Sequence, residues 1–108
     1  MTDLTPTKEM AEAAEKGLDL KEKHDSDAAT DKGMEMAKKI KNQEQLSVDE
    51  IKDMYSYFAR HEVDKGADGF GDDDDPSNGY ISWLLWGGDA GAEWSERKRE
   101  TLKENDNY

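Results

Sequence analysis

Four consecutive carboxylates form the part of the sequence that most resembles a metal site, and the weak candidate ligands are Asp72, Asp73, Asp74 and Asp75. Calcium loops of the EF-hand type place a glycine at the sixth position and a bidentate glutamate at the twelfth. When Gly79 takes the sixth position, Pro76 falls on the third and Leu85 on the twelfth, and neither side chain carries an oxygen. We therefore predict no metal site and no cofactor. We interpret the run as a solvated acidic loop that binds divalent ions weakly at most.

His61, which follows Arg60, is the histidine best placed for chemistry. Catalysis by histidine needs a nucleophile and an orienting carboxylate close by. The sequence has no nucleophile elbow, no phosphate-binding glycine loop and no pair of histidines at metal-binding spacing. We predict no catalytic residues, and an enzyme that uses Arg60, His61 and Asp89 is the least favoured hypothesis. The favoured interpretation is a structural clasp, in which Asp89 caps the last helix and Arg60 or His61 approaches that junction.

Three tryptophans, Trp83, Trp86 and Trp94, are candidate contact residues. Aromatic side chains can stack on nucleic-acid bases, but such platforms need basic flanks. Residues 62–75 hold seven acidic residues and one lysine, so we predict no direct nucleic-acid partner. Core packing is the favoured interpretation of these rings, and a tryptophan left exposed would indicate a protein contact.

Three helices are predicted before the acidic segment. Thr5-Pro6 is typical of a helix start and predicts a first helix over about 6–23. An apolar pair at i,i+4 spacing followed by lysines predicts a second helix from Thr30 to about Lys41. Ser47–Glu50 has the pattern of a capping box and predicts a third helix that reaches about Val63.

Two further helices are predicted after it. Residues 64–76 are rich in glycine and aspartate, which predicts a loop. The almost wholly apolar segment Gly79–Trp86 predicts a short buried helix, which Gly87-Gly88 ends. A last helix is predicted over about Ala90–Glu104, with Trp94 as its anchor. The predicted fold class is therefore all-α, a compact bundle of four to five short helices with an acidic loop between the third and the fourth.

The 108 residues fit one domain, and composition divides it into two parts. Every Trp, Tyr and Phe lies at or after Tyr55. Since aromatic side chains bury the most area, we predict a helical core over 45–104 and a weaker N-terminal attachment of two helices over 1–44. The net charge of −12 opposes binding to nucleic acid and to anionic membranes, and it suits a basic protein partner. No run of about 20 apolar residues and no secretory signal is visible, so we expect no membrane partner and synthesis in the cytoplasm.

Two segments resemble a small helical domain of phage and prophage proteins. Met54–Lys65 contains the run Tyr-Phe-Ala-Arg-His, and Gly79–Gly91 contains the run Trp-Leu-Leu-Trp-Gly-Gly-Asp, followed by Trp94. The resemblance covers about residues 45–98. It is weaker around Ala28–Lys32, where that family tends to carry glycines and basic residues, and this chain has the more acidic loop. The resemblance implies a phage-encoded setting, with the host cytoplasm as the site of synthesis, and it implies no particular activity.

These observations predict a non-catalytic structural or interaction protein. With the phage resemblance, the first hypothesis is a virion- or capsid-associated protein, such as a decoration or minor head protein, whose candidate contact residues are Arg60, His61, Trp83, Trp86, Asp89 and Trp94. The alternative is an acidic effector that binds a basic host protein or mimics the charge of DNA. Both hypotheses require a protein partner.

Overall fold

The computed structural model describes residues 3–106 and 108, so that Met1 and Thr2 of the predicted N-terminal part, and Asn107, lie outside the described residues. The described part contains α-helices and a short 3₁₀ helix and no strand, which confirms the all-α fold class. The α-helices are α1 (Lys8–Lys23), α2 (Asp31–Lys41), α3 (Val48–His61), α4 (Asn78–Leu85) and α5 (Gly88–Glu104). The 3₁₀ helix, Glu62–Gly66, continues directly from α3.

Hydroxyl side chains cap the first four helices. Ser47 Oγ accepts the Glu50 backbone N–H at 3.1 Å while the Glu50 carboxylate accepts the Ser47 N–H at 2.9 Å, which confirms the predicted capping box. Thr30 and Ser77 cap α2 and α4 in the same way through their hydroxyl oxygens. Thr7 provides the cap of α1, so that helix begins two residues after the predicted start at residue 6. Each cap satisfies a backbone donor that has no partner inside its helix.

The start of α5 differs from the prediction. Its N-cap is Gly87, with a φ of +112°, and no side chain caps the helix. The prediction that Asp89 caps the last helix is therefore wrong. Two successive glycines with positive φ, Gly87 and Gly88, turn the chain so sharply that α5 begins at Gly88, before Asp89 is reached. Asp89 consequently lies inside the first turn, and its carboxylate points to other partners.

Both halves of the chain build the core. α1 packs more extensively against α4 than against any other helix. Three apolar side chains of the first half, Met10, Met36 and Ile40, are at most 2% exposed and join the cluster that contains Phe58 and Trp83. The predicted N-terminal attachment over 1–44 therefore contributes side chains to the same core as residues 45–104.

The physical reason lies at Gly17, in the middle of α1. A Cβ atom at this position would lie 2.9 Å from the Leu85 backbone N and 3.0 Å from the Leu84 Cβ. α1 and α4 therefore approach each other as closely as a residue without a side chain allows. The first half has no Trp, Tyr or Phe to bury a large area. Close approach of the two helix backbones provides many small van der Waals contacts in their place.

Candidate interaction surfaces

Each tryptophan is mostly buried, and each has one edge at a different surface depression. Trp83 is 4% exposed, Trp86 is 6% and Trp94 is 3%. Trp83 lines a groove between α3 and α5, and Trp86 lines a cleft formed by α2, α3 and α4. Trp94 lines a shallow depression between the N-terminal segment and α5. Packing in the core is thus the main role of all three rings, as expected, and only their edges reach the surface.

Asp89 makes its contacts with Trp83 and Lys65. Its Oδ1 atom accepts the Trp83 Nε1–H at 3.0 Å and lies 2.9 Å from Lys65 Nζ. The same ammonium group lies 4.8 Å from the centroid of the Trp83 ring. Lys65, and after it the Trp83 indole, hold the pKa of the Asp89 carboxyl below its usual value, against the effect of partial burial. The result is a small triangle of an ammonium, a carboxylate and an indole at one end of the α3–α5 groove.

Arg60 and His61 do not take part in this triangle, so the predicted clasp with Asp89 is wrong. Arg60 Nε donates to the Ser56 carbonyl of its own helix at 3.3 Å. His61 Nδ1 lies 3.2 Å from Asp64 Oδ2, and its ring stacks on Tyr57 with 4.5 Å between centroids. The reason is where α3 ends. The helix stops at His61, and the 3₁₀ helix that follows brings the side chain of Lys65, rather than that of Arg60, to Asp89.

The α3–α5 groove has an aromatic wall and an acidic rim. Its volume is about 340 Å³, and the rings of Tyr55, Phe58 and Trp83 line it. The carboxylates that line it are Glu62, Glu93 and Glu96, all of them on exposed residues. Next to the groove, the Arg99 guanidinium lies 4.2 Å from the centroid of the Tyr55 ring. A cation of the chain itself therefore rests on an aromatic ring at two places along this surface, Lys65 on Trp83 and Arg99 on Tyr55.

The α2–α3–α4 cleft lies on another side of α3 and is less polar. Its volume is about 500 Å³, and Tyr57 and Trp86 stack in its wall with 4.7 Å between centroids and 11° between planes. Tyr57 donates its hydroxyl hydrogen to Ser82 Oγ at 2.9 Å, and burial raises the pKa of Tyr57 to about 12. Arg60 and His61 line this cleft together with Trp86. Three of the six predicted contact residues therefore meet here, and Asp89 lies elsewhere.

Two of the four carboxylates of the acidic loop have partners among the described residues, and these partners differ. Asp72 Oδ1 accepts the backbone N–H of Asp74 at 2.9 Å and so closes a turn. Asp73 pairs with Lys16 Nζ at 3.0 Å and accepts the Tyr80 hydroxyl at 2.9 Å, and Lys16 followed by Tyr80 lowers the pKa of the Asp73 carboxyl. Asp74 and Asp75 are exposed. In the part of the chain that the structure describes, no three His, Cys, Asp or Glu side chains are grouped to hold a metal ion.

Sequence reasoning missed three residues that organise these surfaces. Lys65 is the one lysine among seven acidic residues between 62 and 75, which was a signal that it would find a carboxylate. Phe70 is the single ring in the acidic loop, and it packs 5.2 Å from Tyr80 and 6.1 Å from Trp83, measured between centroids. Lys16 of α1 pairs with Asp73 of the acidic loop, and no local pattern indicated that pairing.

Comparison with known proteins finds no match: neither a family model, nor a curated protein, nor a solved structure is significantly similar to this chain. Among residues 3–106 and 108, none of the helices has both the length and the apolar character needed to cross a bilayer. Function is therefore inferred from the geometry of the two surfaces and from the charge of the chain.

Proposed function

We propose that this chain is a non-catalytic interaction protein that holds a basic segment of a protein partner in the α3–α5 groove. The observation that supports the proposal is the pairing of an aromatic wall with three glutamates around one depression. A lysine or arginine side chain is attracted both to the face of an aromatic ring and to a carboxylate. Within the chain, Lys65 makes both kinds of contact at once, with the Trp83 ring and with the Asp89 carboxylate.

The energies point to a partner with several basic residues. One exposed cation on a ring contributes roughly 0.5–1 kcal/mol, and one exposed ion pair contributes about 0–1 kcal/mol. A single lysine would therefore bind weakly, and a run of basic residues is needed for useful affinity. The net charge of −12 adds long-range attraction, which raises the association rate of a basic partner.

The setting that we propose follows from the phage resemblance. The chain would be made in the host cytoplasm and bind a virion or capsid protein, as a decoration or minor head protein. A second candidate is an acidic effector that binds a basic host protein, and the same groove and charge favour it. Mimicry of DNA has less support, because Asp72 closes a turn and Asp73 pairs with Lys16, so the acidic run does not present a row of free carboxylates.

A peptide titration with two matched variants tests the groove. The ligand is a short lysine- and arginine-rich peptide, and binding is measured by calorimetry at low and at physiological salt. We expect the double variant Glu93→Gln/Glu96→Gln to bind several-fold more weakly, since two carboxylates of the rim lose their charge. The control is Glu12→Gln/Glu15→Gln, which removes the same charge at the same i,i+3 spacing from exposed positions of α1, outside the groove. Equal losses in both variants would mean that only net charge matters, and the groove proposal would fail.

Protein composition of purified particles separates the two settings. If the chain is a virion protein, many copies of it should be found in purified phage particles. The Glu93→Gln/Glu96→Gln variant should then be incorporated into the particles in smaller amounts. Absence from particles, together with intact binding of the basic peptide, would favour the host-directed effector.

A further inference from the structure

A cation of the chain itself already occupies one place in the α3–α5 groove. Lys65 Nζ lies 4.8 Å from the centroid of the Trp83 ring and 2.9 Å from Asp89 Oδ1. An aromatic face and a carboxylate are also the two groups by which the groove is proposed to hold a basic side chain of a partner. Lys65 and such a side chain would therefore compete for the same position.

The two groups that receive the ammonium are fixed by helices. Trp83 belongs to α4 and is 4% exposed, and Asp89 belongs to the first turn of α5. The Trp83 Nε1–H donates to Asp89 Oδ1 at 3.0 Å, which holds the carboxylate beside the ring. A ring and a carboxylate positioned in this way need no rearrangement when one cation replaces another, and such preorganisation favours binding.

Lys65, in contrast, is weakly held. It lies in the 3₁₀ helix Glu62–Gly66, which contains no buried residue, and its side chain is 41% exposed. Contacts of a cation with a ring or with a carboxylate contribute little to stability at such exposed positions. The lysine side chain is a flexible four-carbon chain, so rotation about its own bonds is enough to move the ammonium away from Trp83 and Asp89.

The remaining charges of the groove attract an incoming cation. Among the described residues, three glutamates and one lysine supply the charges that line it. Glu62, Glu93 and Glu96 form no ion pair in the part of the chain that the structure describes, since Lys65 pairs with Asp89 instead. A partner with several basic residues can meet these carboxylates as well as Asp89, whereas Lys65 offers a single charge.

We propose that Trp83 and Asp89 form the anchor position for one lysine or arginine of the basic partner, and that Lys65 fills this position in the free chain and is displaced on binding. The inference rests on the proposed function, and it adds which residues receive the anchoring side chain and what restrains the groove before a partner arrives. A tethered competitor lowers the apparent affinity in proportion to the time during which it occupies the position. Lys65 thereby favours partners with several basic residues over those with one.

Two lysine variants of equal charge test the displacement. The probe is the lysine- and arginine-rich peptide, titrated by calorimetry into the full chain at physiological salt. Lys65→Ala removes the ammonium and uncovers the Trp83 ring, whereas Lys38→Ala removes the same charge from an exposed position of α2 outside the groove. We expect Lys65→Ala to bind the peptide several-fold more tightly than Lys38→Ala, because the two variants have the same net charge and only one has lost the competitor. Lys65→Arg keeps a cation on the ring and should bind as the parent does.

The indole N–H resonance of Trp83 reports the exchange of cations directly, because its hydrogen bond goes to the carboxylate that changes partner. Peptide added to the ¹⁵N-labelled parent chain should shift this signal in a saturable way. The signal of Trp86, which lines the α2–α3–α4 cleft, should stay in place. A Trp83 signal that does not move when the peptide has saturated the chain would overturn the inference.

The affinities separate this inference from the proposed function. Equal affinity in Lys65→Ala and Lys38→Ala, or weaker binding by Lys65→Ala, would show that Lys65 is not a competitor. The groove proposal itself is decided independently by the Glu93→Gln/Glu96→Gln variant and would survive that result. A peptide that binds neither the parent nor Lys65→Ala would overturn both.

Discussion

The first and second halves of the chain bury apolar surface in different ways. α1 and α2 have no aromatic ring, and they pack through Met, Ile and Ala side chains and through bare backbone at Gly17 and Gly33. α3, α4 and α5 pack through rings, such as the edge-to-face pair of Phe58 and Trp83 at 4.7 Å. Both halves nevertheless contain fully buried side chains.

This comparison shows that aromatic content does not locate a core. Large rings bury much area each, but close approach of two helices yields many small contacts over a long interface. In this chain the apolar helix α4 contacts helices of both halves, α1 and α2 from the first and α3 and α5 from the second. We therefore expect damage to either half to destabilise the whole bundle.

The largest effect is expected at Trp83. Replacing it with alanine leaves a cavity in the aromatic half, and such a change costs roughly 3–5 kcal/mol. The matched variant in the other half is Met36→Ala, for which roughly 2–5 kcal/mol is expected, since Met36 is 2% exposed. Urea unfolding of both variants measures the comparison. If Met36→Ala left the unfolding midpoint unchanged, the first half would be an attachment after all.

The next effect is expected at Gly17, where the two helices approach most closely. A methyl group there would lie 2.9 Å from a backbone nitrogen of α4, so Gly17→Ala should destabilise the chain by roughly 1–3 kcal/mol despite the higher helix propensity of alanine. Gly66→Ala serves as control, because a Cβ atom at Gly66 meets no atom within 4 Å. We expect that variant to stay within about 0.5 kcal/mol of the parent. A stable Gly17→Ala protein would contradict close packing of α1 on α4.

Helix caps offer a smaller comparison between the halves. Ser47 of the second half takes part in a two-way capping box, whereas Thr30 of the first half accepts a single bond at 3.3 Å. Ser47→Ala and Thr30→Ala should each cost about 0.5–2 kcal/mol, with Ser47→Ala the larger. The two unfolding midpoints decide the order. Equal costs would show that the bond to the Ser47 hydroxyl is no stronger inside a capping box than the single bond to Thr30.

The smallest effects are expected at two exposed carboxylates. One is paired with a lysine of the first half, and the other is paired with a lysine of the second half. Lys16 lowers the pKa of Asp73, and Lys65 lowers the pKa of Asp89, in each case below the ordinary value of 3.8. A carboxyl whose pKa is lowered by folding stabilises the folded state at neutral pH, and this contribution disappears as pH falls through the folded pKa. Carboxyl ¹³C titration should show that Lys65→Met raises the pKa of Asp89 alone and that Lys16→Met raises the pKa of Asp73 alone. A rise of both values in either variant would indicate a change in overall charge rather than a specific pair.

Most of the elements were predictable from sequence, because helix caps and apolar periodicity act over a few residues. The capping box at Ser47, the short apolar helix α4 and the end of α2 at Lys41 were all predicted close to where they lie. Less of the candidate surfaces was predictable. Arg60 and His61 were grouped with Asp89, and the structure groups them with Trp86 instead. The error came from treating nearby helix ends as neighbours without knowing the 3₁₀ turn between them.

The sequence by itself determined the helical class, the five helix starts to within two residues, and the acidic charge that opposes binding to phosphates. These properties follow from single residues and from patterns one or two helical turns long. Only the tertiary structure decided that α4 packs directly against Gly17, that Lys65 rather than Arg60 contacts Asp89, and that Trp86 lines the same cleft as Arg60 and His61. Those contacts depend on how helices cross and on the phase of each helix where it ends, and a shift of one residue moves a side chain by about 100° around its helix.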